Sequence, residues 1–249
     1  MATVANIWRH PVKGVGREEM QSVALNVGQC LPYDRHWAIA HEDADLGDAA
    51  DGWARCMNFA RAARAPKLMA VASSFDDATG KLTLSHPDLP HLSLDPDAEG
   101  PALVDWVARI SDPRRAMPAK LVKPARGMTD SKDPTVSIQS LASLERLSAA
   151  VGQPLDQRRF RGNIWLDGPD AFEEFDWQGK TLRIGDAEID ILEPIERCKA
   201  TTVNPNTGEI DANTLGTLNA EFGHQNFGVY GLVRKAGTIA LGDVAEVLD

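Results

Sequence analysis

The stretch WQGKTLRIGDAEIDILEPIERCKATTV, residues 177–203, decides the fold class of this chain. It reads as a run of β-strands, because strand-forming residues are interrupted by turns at 178–179 and 185–186. The same stretch ends on Cys198, which stands between Arg197 and Lys199. Short strands at this density predict a β-barrel, and the thiol flanked by two cations raises the question of function.

Outside this stretch the chain keeps the strand-and-turn pattern and contains few helices. Apolar residues at helical spacing predict a helix over 141–151, with Ser140 as its N-cap and Gly152 as its end. A second helix is predicted around residues 103–110, stopped by the Asp-Pro pair at 112–113. We therefore expect a mainly β fold with a few helices, a β-barrel core and a second, β-barrel-like N-terminal domain.

A connecting segment is predicted between two halves of the chain. Residues 111–134 contain four prolines and several charges, which is typical of a linker. We expect an N-terminal domain over 1–118 and a second domain over 119–249. The acidic, glycine-containing segment 43–54 is predicted to be an exposed loop.

Composition restricts the classes of partner. The 249 residues carry a formal net charge of −10, which disfavours nucleic acid and anionic membranes as partners. There is no apolar run long enough to span a membrane and no secretion signal at the start of the sequence. The three cysteines are far apart in sequence and form no CxxC pair, so we expect no disulfide framework, zinc site or iron–sulfur cluster. We expect a cytoplasmic protein.

Three readings of Cys198 are open from the residues alone. The thiol is a buried structural group, an activated nucleophile, or a ligand for a soft metal, since neighbouring cations stabilise a thiolate. Adjacent residues of a strand point to opposite faces, so Arg197 shares a pocket with Cys198 only if the segment is irregular. A Cys–His hydrolase lacks an identifiable base among the six histidines. No dinucleotide-binding or P-loop motif is present.

A series of motifs covers nearly the whole chain. RHPVKGVG at 9–16 and YDRHWAI at 33–39 resemble the N-terminal β-barrel domain that precedes MOSC domains. RFRGNIWL, PIERCKATTVNPNTGEI, NFGVYGLV and GTIALGDVAEV, starting at residues 159, 194, 226 and 237, resemble the MOSC core in order. The chain is similar to the molybdenum-cofactor proteins of the mitochondrial amidoxime reducing component type and their bacterial counterparts.

The resemblance implies a pyranopterin molybdenum cofactor and assigns residues to it. Cys198 matches the cysteine that ligates molybdenum, and Tyr230 matches an aromatic residue near the pocket, so we expect both to be catalytic. The residues expected to bind the cofactor's phosphate and pterin are Lys13, Gly14, Arg35, Thr135, Ser137, Arg161, Asn163, Glu196, Arg197 and Cys198. Guanidinium and ammonium groups suit the phosphate, and soft sulfur suits molybdenum.

Three positions depart from the pattern of the family. Gly14 replaces a serine, Gly162 replaces a proline, and Glu196 replaces a small hydroxyl residue. The carboxylate of Glu196 is expected near the metal, where it would exclude anionic substrates or alter the proton supply. The turn at 204–208 is expected to hold Cys198 at the floor of the pocket.

The resemblance implies a reductase of N-hydroxylated or otherwise N-oxygenated small molecules. Electrons are expected from a separate protein, because the chain has neither a fused ferredoxin-type domain nor the cysteines for its cluster. Docking of that partner through a basic patch would suit the acidic surface. The alternative hypothesis is a carrier that binds the molybdenum cofactor, or transfers sulfur as a persulfide on Cys198.

Overall fold

The computed structural model describes residues 2–47 and 52–248, and within them the chain is mainly β with three α-helices. The strands are β1 Ala2–Arg9, β2 Glu18–Met20, β3 Ser22–Leu25, β4 Ala38–His41, β5 Ala72–Asp76, β6 Lys81–His86, β7 Leu89–Leu94, β8 Pro118–Val122, β9 Val136–Ser140, β10 Ile164–Asp167, β11 Thr181–Ile184, β12 Ala187–Glu196, β13 Asn226–Lys235, β14 Gly237–Ala240 and β15 Val244–Leu248. The helices are α1 Pro96–Ala108, α2 Leu141–Val151 and α3 Thr214–Phe222.

Seven of the described strands close into a barrel. Their order is β10-β9-β13-β12-β11-β15-β1, and β1 pairs back with β10. β9 and β10 are parallel, whereas the other pairs in this ring are antiparallel. Closure leaves the ring without an open edge. The β-barrel predicted from the density of short strands along the chain is confirmed.

The interior of the barrel is filled by alternate residues of its strands. In β12, Ala187, Ile189 and Ile191 are buried, and the residues between them are partly exposed, as the two-residue period of a strand requires. Ile7 of β1 and Ile138 of β9 are both 0% exposed in the same cluster. Burying one such side chain contributes about 1.5–3 kcal/mol. The N-terminal strand is therefore part of the barrel core.

The first half of the chain builds smaller sheets beside the barrel. β5, β6 and β7 form a three-stranded sheet, and β4 pairs with β8. Their core includes Trp37, Leu82, Leu84, Leu103 and Val107, and α1 contributes the last two. Within the described residues, this core is a separate cluster from that of the barrel interior.

Several pairings cross the predicted division at 118/119. β1 and β2 extend the barrel sheet, and β3 pairs with β14 near the end of the chain. β8 begins at the predicted division and pairs with β4, so the linker expected over 111–134 contains an ordered strand. This strand was not predicted from the sequence, because the prolines of the segment are typical of connections between elements. The division into two domains stays a prediction.

The predicted helix over 141–151 is confirmed, including its caps. The Ser140 hydroxyl accepts from the Ser143 N–H, and Gly152 ends the helix with φ 82°. α1 begins earlier than expected, at Pro96, because Asp95 caps it and proline suits a first helical turn. α3 was not predicted. The loop expected over 43–54 is irregular where it is described, and residues 48–51 lie outside the described residues.

Candidate active site

All eleven predicted site residues line one cleft, between the loops of the first half and the barrel. These residues are Lys13, Gly14, Arg35, Thr135, Ser137, Arg161, Asn163, Glu196, Arg197, Cys198 and Tyr230. The cleft has an empty volume of ≈ 900 Å³, which includes its open mouth. Positions up to 217 residues apart in sequence thus meet at one place.

The cleft is cationic in a protein whose net charge is −10. Its described lining includes six basic residues, Lys13, Arg35, Arg61, Arg159, Arg161 and Arg197. Asp130 and Glu196 are the acidic residues that face them. Such a concentration of buried and half-buried cations requires compensating anions. The cleft is therefore suited to an anionic ligand.

Lys13 is tied into the protein by its ammonium group. Nζ donates to Met128 O at 2.8 Å, to Thr129 O at 3.2 Å and to Asp130 Oδ1 at 2.5 Å. Burial opposes ionisation of Asp130, but Lys13 outweighs it, with help from Arg35 and Arg161, and lowers the pKa to about 2. The ion pair fixes the loop at 128–130 over the cleft.

Arg35 belongs to a buried network with Asp34 and His10. Asp34 is 1% exposed, and it accepts from the His10 backbone N–H at 2.7 Å and from Arg35 Nη1. Burial opposes ionisation of Asp34, but Arg35 and His10 hold its pKa well below the usual range. Arg35 Nη2 donates to Arg161 O at 2.8 Å. The network joins the first half of the chain to the barrel.

Arg161 follows a 3₁₀ turn at Gln157–Phe160 and has φ 49°, in the left-handed region. Its Nη1 donates to Gly16 O at 2.9 Å. Burial lowers the pKa of this guanidinium to about 9, and the nearby cations Arg35 and Arg17 add to the shift. An anion in the cleft would relieve this repulsion.

The polar groups of Asn163 and Ser137 are hydrogen-bonded to other groups of the protein. Asn163 Oδ1 accepts from Ser137 N at 3.1 Å and from Ser137 Oγ at 3.0 Å, and Nδ2 donates to Trp8 O at 3.1 Å. These bonds connect β9, β10 and β1 below the cleft. This geometry favours positioning roles for both residues.

Packing explains two of the three departures from the family pattern. A Cβ on Gly162 would lie 1.8 Å from Gln139 Oε1, so no larger residue fits there in this arrangement. Gly14 has φ 73°, and a Cβ on it would lie 2.3 Å from Ala60 O. The loop bearing Lys13 therefore packs directly against the segment bearing Arg61.

Arg197 and Cys198 lie where β12 ends. The pairing of β12 with β13 is irregular on either side of Pro194, which allows adjacent residues to line one cleft. Arg197 Nε donates to Phe227 O at 2.7 Å and Nη1 to Phe160 O at 2.9 Å. Burial lowers the pKa of Arg197 to about 10. The guanidinium thus anchors the segment that carries Cys198.

Cys198 is exposed, although we expected it at the floor of the pocket. Its carbonyl accepts from Thr201 N at 3.2 Å, at the start of a 3₁₀ turn over Lys199–Thr202. The predicted turn at 204–208 is present, with Gly208 N donating to Asn204 O at 2.9 Å. The 3₁₀ turn separates the turn at 204–208 from Cys198. The Cys198 thiol lies on the accessible wall of the cleft.

Glu196 and Tyr230 complete the predicted set. Glu196 is exposed at the end of β12. Tyr230 lies on β13 opposite Ser137, and burial, followed by the charge of Asp130, raises the pKa of its phenol. The phenol therefore stays protonated at neutral pH and can donate a hydrogen bond.

Sequence reasoning missed six polar lining residues: Cys56, Arg61, Thr129, Asp130, Arg159 and Thr201. Arg61 and Arg159 belong to small basic clusters at 61–67 and 158–161, which were the available signal. Thr135 Oγ1, Arg61 Nε, and Arg159 Nε and Nη1 are buried without a hydrogen-bond partner among the described residues. Such orphaned groups indicate where a ligand would bind.

The protein atoms do not form a metal site by themselves. Across 2–47 and 52–248, no group of three or more His, Cys, Asp or Glu residues is arranged to hold a metal ion. A metal at Cys198 would need most of its ligands from a cofactor. Nor does any described helix have the length and apolar character needed to cross a membrane.

Family comparison agrees with the fold and the cleft. The MOSC N-terminal beta barrel domain matches residues 1–106, and the MOSC domain matches residues 125–246. Together these matches span most of the chain. The protein belongs to the MOSC-domain family and carries the N-terminal barrel domain of that family.

Individual relatives indicate which proteins with a MOSC domain this chain resembles. The chain is 26% identical to human mitochondrial amidoxime-reducing component 1 over 298 aligned positions, covering 100% of this chain and 83% of that protein. It is 25% identical to human mitochondrial amidoxime reducing component 2, covering 98% of this chain and 82% of the relative. Molybdenum cofactor sulfurase of Drosophila yakuba is 38% identical over 81 positions, which cover 31% of this chain and 10% of that protein. The relatives are thus amidoxime-reducing components over nearly the full chain and a molybdenum cofactor sulfurase over part of it.

Proposed function

We propose that this protein is a molybdenum-dependent oxidoreductase that reduces N-hydroxylated and other N-oxygenated small molecules. The observation that carries the proposal is an exposed thiol, Cys198, on the wall of a cleft lined by six basic residues. The similarity to amidoxime reducing components over the full chain supports the same reading. Binding of a pterin cofactor by these residues is part of the proposal.

The chemistry of the cleft fits this cofactor. A thiolate from Cys198 would complete a sulfur-rich set of ligands for molybdenum. Arg35 and Arg161 would face the phosphate, and the orphaned Thr135 hydroxyl would gain a partner from the ligand. Lys13 and Asn163 would position these groups, because their own donors are already satisfied by the protein.

The reaction would break the N–O bond of the substrate. Two electrons and two protons convert a hydroxylamine to an amine, and the oxygen leaves as water. When bound, the cofactor supplies a metal centre that changes oxidation state. Tyr230 would orient the substrate oxygen through its protonated phenol, and the exposed carboxyl group of Glu196 would relay protons from solvent.

Electrons would come from a separate redox protein. The acidic surface of this chain would favour a donor that docks through a basic patch. Small-molecule donors such as reduced methyl viologen can replace that partner in an assay. The donor requirement can therefore be separated from the chemistry at the cleft.

The test uses protein produced in a host that makes the cofactor. With reduced methyl viologen and benzamidoxime, the wild type should contain molybdenum and release benzamidine, whereas Cys198→Ser should lose at least about a hundredfold in rate. The matched control is Cys30→Ala, because Cys30 is buried outside the cleft. Full activity of Cys198→Ser at wild-type molybdenum content would overturn the ligand role.

The alternative is a carrier of the cofactor or of sulfur. The local match to molybdenum cofactor sulfurase and the exposure of Cys198 favour it. Molybdenum without turnover would indicate a cofactor carrier, and a persulfide on Cys198 without molybdenum would indicate sulfur transfer. A Cys–His hydrolase has less support, because the described cleft lining includes no histidine.

A further inference from the structure

Arg159 is a buried cation whose hydrogen bonds are incomplete. It is 3% exposed, and Nη2 pairs with Asp211 Oδ1 at 2.7 Å. Its Nε and Nη1 have no partner among the described residues, although the side chain lines the cleft. A buried unsatisfied donor costs about 1–3 kcal/mol, and more when it is charged. An acceptor supplied by a ligand would remove this cost.

Arg61 shows the same incomplete bonding on another segment of the cleft. Nη1 donates to Cys56 Sγ at 3.1 Å, and Nε is buried without a partner in the described part of the chain. A thiol is a weak acceptor compared with an anionic oxygen. Arg61 therefore has donor capacity that the protein itself leaves unused.

Both guanidinium groups belong to segments that flank Cys198. Asp211, the partner of Arg159, donates from its backbone N–H to Thr202 O at 3.1 Å, in the turn that follows the cysteine. On the Arg61 side, Ala62 packs in one apolar cluster with Ala200 and Val203, which follow the cysteine. Both arginines therefore lie on segments that pack against the turn after Cys198.

The phosphate of the cofactor has its own set of cations. Arg35 and Arg161 are joined through a hydrogen bond at 2.8 Å and lie next to Asp34 and Lys13. Within the described residues, neither Arg61 nor Arg159 is hydrogen-bonded to that cluster. The two arginines with orphaned donors are thus separate from the phosphate cluster, and both line the cleft on segments next to Cys198.

We propose that Arg61 and Arg159 form a subsite for an acidic group, so that the preferred substrates are N-oxygenated compounds that also carry a carboxylate or a comparable anion. This inference rests on the proposed reductase function. A guanidinium fork binds a carboxylate with two parallel hydrogen bonds. The two positive charges of this subsite exceed the single negative charge of Glu196, whose carboxylate was expected to exclude anionic substrates.

The test is equilibrium binding to the oxidised holoprotein, without an electron donor. Isothermal titration compares 4-carboxybenzamidoxime with benzamidoxime, which lacks the carboxylate. In the wild type the carboxylate compound should bind at least about tenfold more tightly. Arg159→Gln should abolish that preference and leave the affinity for benzamidoxime within about twofold. Arg114→Gln is the control, because Arg114 is exposed and lies outside the cleft.

Further variants and a cofactor assay separate the possible explanations. Arg61→Gln should reduce the same preference about threefold to tenfold, and it replaces Arg159→Gln if that variant does not fold. Molybdenum and pterin content should stay at the wild-type level in both variants, and their loss would assign the arginines to the cofactor and overturn the proposal. Equal binding of the two compounds by the wild type would also overturn it. Because no turnover is measured, absence of reductase activity would count against the proposed function alone.

Discussion

The two walls of the cleft differ in how far the protein satisfies its own polar groups. The closed wall, defined as Lys13, Arg35, Ser137 and Asn163 with Asp34 as the buried partner of Arg35, has its principal polar groups bonded to other parts of the chain. The open wall, defined as Arg61, Arg159, Glu196 and Cys198, retains orphaned donors and an exposed thiol. The difference indicates that the first wall is mainly part of the folded framework, with Arg35 also facing the proposed phosphate, and that the second wall is available to ligands. Changes in the closed wall should therefore reduce stability, and changes in the open wall should reduce binding or activity.

The largest effect on stability is expected from Asp34→Asn. The substitution leaves the half-buried Arg35 without its buried carboxylate partner, and breaking a buried pair costs about 3–5 kcal/mol. Urea unfolding should show a lower midpoint with an unchanged slope. Glu246→Gln, which removes an exposed ion pair with Arg183, should change stability by less than about 1 kcal/mol. Equal effects of the two variants would contradict the description of the closed wall.

A pH-dependent effect on the free energy of unfolding is expected at the buried residue Glu174. Its carboxyl group is 0% exposed, accepts from Ser143 Oγ at 2.9 Å, and has a pKa raised by burial to about 7. The unfolded chain ionises near pH 4.5, so this stabilising contribution is complete below that pH and is lost as the pH rises to about 7. The loss amounts to about 3 kcal/mol.

Glu174→Gln tests this effect because its amide does not titrate. Relative to this variant, the wild type should lose about 3 kcal/mol of unfolding free energy between pH 4.5 and pH 7.5. Chemical denaturation at four pH values across that range measures the difference. Parallel curves for the two proteins would show that the carboxyl group titrates normally.

The smallest effect on stability is expected from Cys198→Ser in the open wall. The thiol is exposed, so the unfolding free energy of the cofactor-free protein should change by less than about 0.5 kcal/mol. The same variant should lose reductase activity in the holoprotein. A loss of stability comparable with that of Asp34→Asn would remove the distinction between the walls.

Much of the fold was predictable because local patterns agree with it. The turns at 178–179 and 185–186 predict the antiparallel pair of β11 and β12, and the caps of α2 are written in the sequence as Ser140 and Gly152. Which strands close the barrel was not predictable. It depends on β1 pairing with β10, in which Ile7 lies opposite Ile164, and local periodicity does not encode a contact across so many residues.

The candidate site, like the fold, was predictable only in part. The resemblance to the family predicted eleven of the residues that line the cleft, because matching a motif assigns its residues directly to the site. The resemblance did not reveal that the donors of Asn163 are used internally or that Arg159 is orphaned, because both facts depend on the packing of distant segments. The exposure of the Cys198 thiol could not be predicted either, because it depends on how distant segments pack around the cleft.

The most direct test of the central claim is molybdenum K-edge X-ray absorption on the holoprotein. Cys198 as a ligand predicts three sulfur neighbours in the wild type, two from the cofactor and one from the protein. Cys198→Ser, measured on whatever molybdenum it retains, should show two. An unchanged number of sulfur neighbours in the variant would contradict the assignment of Cys198 as the metal ligand.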